Sequence, residues 1–244
     1  MLRNPLMQSR FTVLGLAVAL LATLATPARA AQKKAAAHAE TDAALSLYGS
    51  FNQILSGAVS DGQTQSLSNA AGGMIELRHI VHPWLGYEAT YSLNRANQAS
   101  TSLTTIGGCP FSPCPYYPAT TVSAFANQLS GDWVFSAKLA NLRPFAVVGV
   151  GILLDVPVGS ANNTEFNCTP NPISCQYGTV PTQAARAPVF VYGAGLDWGL
   201  LPHLGLRAQF RGNLYHAAEL TREFQAPASL AQTLEPMLGA YFRF

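Results

Sequence analysis

The chain has 244 residues, of which 49% are hydrophobic, 10% aromatic and only 11% charged, and its mean hydropathy is +0.17. Disordered chains are charge-rich and aromatic-poor, and soluble domains carry about twice this charged fraction, so neither class fits. Removing residues 1–30 takes away three basic residues and no acids, leaving 11 Lys and Arg against 12 Asp and Glu. The mature charge of −1 argues against a nucleic-acid partner.

Residues 1–30 read as a secretory signal peptide. Arg3 and Arg10 give a basic start, residues 11–25 an apolar run, and Ala28-Arg29-Ala30 a small-x-small cleavage site. The run is short for a membrane-spanning helix, which needs about 20 apolar residues; an uncleaved anchor is the alternative. After cleavage, residues 31–43 are expected to form a short periplasmic segment and 44–244 one domain. Beyond Ala31 the longest unbroken apolar stretch is residues 145–154.

The next elements alternate apolar and polar residues, the period of a strand. Strands are expected at 45–52 and 74–78, with a tight turn at 81–83; Trp84 breaks the parity of its neighbours and is placed at that turn. Across 85–94, Leu85, Tyr87, Ala89, Tyr91 and Leu93 share one face, opposite Gly86, Glu88, Thr90, Ser92 and Asn94. A strand at 129–135, a tight turn at 137–142 and the apolar strand 145–154 follow. The strand 190–198 meets 204–214 through a turn at 199–203. The last strand, 234–244, puts Leu234, Leu238, Ala240, Phe242 and Phe244 on one face, and Glu235, Gly239, Tyr241 and Arg243 on the other. The remaining connections, 57–67, 98–120, 156–187 and 216–232, are long.

Eight strands, an even number, with alternately short and long connections describe an all-β, antiparallel, up-and-down transmembrane barrel. A soluble sandwich is the competing fold. It would bury Glu88, Arg207 and Arg211 in an apolar core, which is costly. In hydrocarbon every backbone polar group must pair, so the sheet has to close. By parity Glu76, Arg78, Glu88, Asp132, Asp197, Arg207, Arg211, Glu235 and Arg243 face the lumen. Eight strands leave an interior barely wide enough for side chains, so this network is expected to be a salt-bridged plug; a narrow gated pore is the alternative. Trp133, Phe135, Trp198, Phe242 and Phe244 fit an interfacial aromatic girdle.

The ending Gly239-Ala240-Tyr241-Phe242-Arg243-Phe244 resembles the assembly signal of outer-membrane barrels, carried here by Gly239, Phe242 and Phe244. The run Val191-Tyr192-Gly193-Ala194-Gly195-Leu196-Asp197-Trp198, followed by Leu206-Arg207-Ala208-Gln209-Phe210-Arg211, is similar to the penultimate hairpin of the OmpA-like small-barrel family. The resemblance covers roughly residues 44–244. It implies a monomeric barrel in the bacterial outer membrane, in contact with lipid and lipopolysaccharide and inserted by the barrel-assembly machinery. No peptidoglycan-binding domain is expected after Phe244.

Two cysteine pairs, Cys109/Cys114 and Cys168/Cys175, fall in long connections. Export favours disulfides, with local pairing the simplest of three connectivities and zinc the alternative. Each local link would contribute about 2 kcal/mol by chain entropy. Residues 107–117 and 166–177 combine these cysteines with aromatics, which suits an extracellular ligand. Lipid A 3-O-deacylase barrels place a serine two residues from their histidine; in Tyr215-His216-Ala217-Ala218-Glu219 that position is Ala218, so no enzyme is expected. His79, His82 and His203 lie at turns and are assigned no site. No cofactor or metal is expected.

Overall fold

Alternation along the chain becomes a wall. In the structure, a computed structural model, the described residues run from 39 to 244, apart from 57–58, 61–62, 103, 107–113, 117–118, 159–161, 164, 171–172, 179–180, 218 and 221–228. The expected signal peptide lies outside them. Eight long strands follow one another: β1 (Glu40–Ser56), β2 (Ala70–His82), β3 (Leu85–Ser102), β4 (Ala119–Ser136), β5 (Leu142–Pro157), β6 (Ala185–Gly199), β7 (Leu204–His216) and β8 (Leu230–Arg243). Each pairs antiparallel with its sequence neighbour, and β1 pairs with β8, so the sheet closes into a barrel.

The outward face is apolar: Leu47 and Leu238 are 73% and 71% exposed, and Leu45, Phe51, Val150, Phe210 and Phe244 stand on the same surface. The inward face is polar and charged. This inverts the usual burial rule and describes a barrel wall that faces lipid. Trp133, Phe135, Trp198, Phe242 and Phe244 are all exposed, and Trp84 sits in the β2–β3 turn as its broken parity indicated.

The three tight turns share one end of the barrel and the long connections the other. The strands outrun the expected lengths, and β3 and β4 reach 18 residues each. A crossing needs about 9–11 residues, so these two extend past the membrane as a paired ribbon on the long-connection side. There the short strand Gln63–Leu67 pairs with β3 and Asn162–Asn163 with β4, covering unpaired backbone. The hairpin Glu165–Pro170/Ile173–Gly178 sets Cys168 directly opposite Cys175 in register. Cys114 opens the short strand Cys114–Tyr116, while Cys109 lies outside the described residues.

Two features concern the β1–β8 seam. A Cβ on Gly239 would come within 2.2 Å of Ser46 Oγ and 2.5 Å of the Leu45 carbonyl oxygen, so only glycine lets the strands approach there. Pro236 lies inside β8 and has no N–H to offer. Its ladder to β7 is continuous through Phe210↔Pro236, whereas the ladder to β1 passes from Tyr48↔Met237 to Phe51↔Leu234 with nothing between.

Candidate functional site

The lumen carries the chemistry, and it is built from every strand. Near the short-turn end a small apolar patch of Ile80, Val134, Phe145 and Val147 points inward. Arg78 lies over the Phe145 ring with its guanidinium carbon 4.0 Å from the centroid. Above and beside this patch the ionic groups interlock.

Arg207 of β7 is fully buried and donates four hydrogen bonds to three carboxylates. Its Nε donates to Asp197 Oδ1 at 2.7 Å, Nη1 to Glu76 Oε2 at 2.8 Å, and Nη2 to Asp42 Oδ1 at 2.8 Å and Asp197 Oδ2 at 3.1 Å. Arg78 donates from Nε and Nη2 to Glu88 Oε2 at 2.9 and 2.7 Å, and from Nη1 to Asp197 Oδ2 at 3.1 Å. Arg211 joins Glu88 Oε1 at 3.3 Å to Asp132 Oδ2 at 2.5 Å, and donates to Ser130 Oγ at 2.6 Å. Ser46 donates to Glu76 Oε1 at 2.8 Å.

Three guanidiniums thus hold five carboxylates, from Asp42, Glu76, Glu88, Asp132 and Asp197. Planar guanidinium forks suit such shared, charge-assisted bonding better than an ammonium would. A Cβ on Gly149 would come within 2.1 Å of Asp132 Oδ1, so the absent side chain makes room for that carboxylate.

Toward the long-connection end amide and hydroxyl side chains take the place of the ion pairs. Gln128 donates to Asn213 Oδ1 at 3.0 Å, Thr233 to Asn52 Oδ1 at 2.6 Å, and the Tyr215 hydroxyl lies 3.1 Å from Thr233 Oγ1. These groups line a cavity of about 50 Å³, shared with Asp155 and Glu235. Glu235 Oε2, Asn213 Nδ2 and both amide atoms of Gln209 are buried without a hydrogen-bond partner. Leu67 and Leu220 border the cavity, and Leu220 also packs on Val122 and Ala124 as part of a cap. The Gln183 N–H donates to the Leu220 carbonyl at 2.9 Å and Ser229 Oγ to Gln65 Oε1 at 2.5 Å, which ties three connections together.

Of the nine lumen residues expected from parity, eight are buried inside the barrel. Seven of them join one ion-pair cluster, Glu235 stands apart from it, and Arg243 lies at the short-turn mouth. Sequence reasoning missed Asp42, Glu40 and Arg143. β1 begins at Glu40, ahead of the expected boundary at 44, and β5 at Leu142, ahead of 145. Extending the alternation of β1 back by two dyads, through Ala44, would have brought Asp42 inside.

The turn histidines have separate neighbours: His79 Nδ1 lies 2.7 Å from Thr41 Oγ1, His203 Nδ1 lies 3.0 Å from the Arg243 carbonyl oxygen, and His82 stacks on Trp84. Among the described residues no three His, Cys, Asp or Glu side chains gather as metal ligands. His216 is exposed, Glu219 contributes its carbonyl to Gln183 Nε2 at 3.4 Å, and Ala218 lies outside the described residues.

No protein-family model and no curated protein matches the sequence. Solved structures of similar shape are small outer-membrane barrels. Ail of Yersinia pestis, in complex with the heparin analogue sucrose octasulfate, is 12% identical; 84% of this chain and 99% of that one align, with a TM-score of 0.45. OprG of Pseudomonas aeruginosa is 7% identical over 85% of this chain and 95% of that one, with a TM-score of 0.46. The N-terminal barrel domain of Pseudomonas aeruginosa OprF is 12% identical over 83% and 97%, at 0.41.

Proposed function

We propose that this chain is a non-enzymatic barrel of the bacterial outer membrane, cleaved from its signal peptide, that holds surface loops above a closed lumen. The observation that carries this reading is the inversion of polarity: an apolar wall outside and a buried ion-pair cluster within. In this orientation the short turns face the periplasm and the ribbon of β3 and β4 rises from the cell surface with the cysteine-bearing connections. The Cys168–Cys175 register supports a disulfide within its hairpin, and pairing of Cys109 with Cys114 completes the scheme. Such loops serve envelope integrity or surface recognition, with lipid and lipopolysaccharide around the wall. The protein acts as a monomer, and Gly239, Phe242 and Phe244 address it to the assembly machinery.

Bilayer recording tests the closed lumen. Purified, reconstituted protein is expected to give no steady conductance. Discrete channel openings would replace this reading with that of a small gated pore. Lipid A from cells with and without the protein is expected to give the same mass spectrum; a lost or added acyl chain would make the chain a lipid A-modifying enzyme.

A further inference from the structure

The charge inside the barrel is unevenly placed. The central cluster has two more carboxylates than guanidiniums, since Asp42, Glu76, Glu88, Asp132 and Asp197 face Arg78, Arg207 and Arg211. The short-turn mouth has the opposite excess. Glu40 there meets three cations: Arg143 Nη2 at 2.7 Å, Lys138 Nζ at 3.1 Å and Arg243 Nε at 3.6 Å.

The mouth encloses about 380 Å³, lined by these three cations together with Asp197, Tyr241 and Leu201. Asp197 does not offset them, because both of its oxygens accept from Arg207 and one also from Arg78. Arg143 is nearly buried, yet its Nε has no hydrogen-bond partner. A guanidinium in this position has donor capacity left for an oxyanion.

We propose that the mouth framed by Lys138, Arg143 and Arg243 binds a phosphate-bearing anion, which displaces Glu40 from Arg143. The local excess of two positive charges matches a phosphate monoester, and the volume admits the group to which the phosphate is attached. The carboxylate excess beyond the mouth repels an anion, so the site holds its ligand and does not conduct it. Only the side from which the anion arrives depends on the orientation proposed above.

Glycerol phosphate is titrated into the mature protein in a neutral maltoside detergent and followed by ³¹P line broadening. Saturable binding is expected. Arg143→Gln weakens it about tenfold, the loss of one charge-assisted contact. Lys138→Gln, on an exposed turn where folding is safe, weakens it about threefold. Glu40→Gln tightens it about threefold by removing the competitor, and Arg186→Gln at the far end of β6 changes nothing.

Nanodiscs of phosphatidic acid and phosphatidylcholine separate the sources. Binding of glycerol phosphate assigns the site to a soluble ester, whereas broadening of the lipid signal alone, removed by Arg143→Gln, assigns it to a headgroup. No saturable binding in either arm, or equal binding by Arg143→Gln and the parent protein, overturns the proposal. So does a Glu40→Gln variant that binds more weakly while, like the parent protein, migrating differently on a detergent gel before and after boiling, the mark of a folded barrel.

Discussion

The two halves of the lumen are closed by different means. Below, three arginines and five carboxylates from six strands lock together through ion pairs, with Arg211 Nε and Asp132 Oδ1 left without a hydrogen bond. Above, amide and hydroxyl side chains surround a small cavity together with Asp155 and Glu235, several polar atoms lack partners, and Leu220 covers the opening. The lower half is therefore a strut: each guanidinium ties strands that are far apart in sequence, and losing one leaves several charges without a counterpart. The upper half is a lining, in which each side chain contributes separately.

Breaking the strut should give the largest effect. Arg207→Ala strips the counter-charge from Asp42 and Glu76 and half of that from Asp197. Urea unfolding in detergent is expected to show a loss of about 3–5 kcal/mol, the range for a buried pair broken on one side. A loss below 1 kcal/mol would mean that water already reaches the cluster.

Removing both sides of a pair should hurt less than removing one. Arg211→Met combined with Asp132→Leu is expected to regain more than half of the stability lost by Arg211→Met alone, since the orphaned Asp132 carboxylate is gone. In the upper half, Gln128→Ala removes one hydrogen bond to Asn213 and is expected to cost only about 1 kcal/mol. If it matched Arg207→Ala, the contrast between the two halves would disappear.

How much of this could be read in the sequence depends on whether a strand has two chemically different faces. β3 and β7 do: their inner residues are polar or charged, so Glu88, Arg207 and Arg211 could be assigned inward from the chain alone. β5 does not. Phe145 and Val147 turn inward beside Ile80 and Val134, while Val150 and Ile152 face lipid, and no alternation distinguishes them. Arg143 was lost for the same reason, as its parity is visible only once β5 has a direction.

Which charges meet is a separate matter. Arg207 and Asp42 are 165 residues apart, and their contact follows from barrel closure and register, which no local pattern encodes. The cap is harder still to foresee, because Leu220 lies in a connection without periodicity. The mouth cations were visible as residues but not as a group, since Lys138, Arg143 and Arg243 come from one turn and two strand ends.

The gap at Pro236 bears on how the cylinder can be sealed. The seam between first and last strands consists of two separate runs, Asp42–Tyr48 with Met237–Arg243 and Phe51–Ser56 with Leu230–Leu234. A proline in the middle of the final strand interrupts that ladder and leaves two short stretches of paired backbone. The run nearer the C-terminus contains Gly239, so the half that allows the closest approach also carries the chain end. Amide exchange across the seam should then divide at Pro236 into two cooperative blocks, with the amides beside the gap exchanging first.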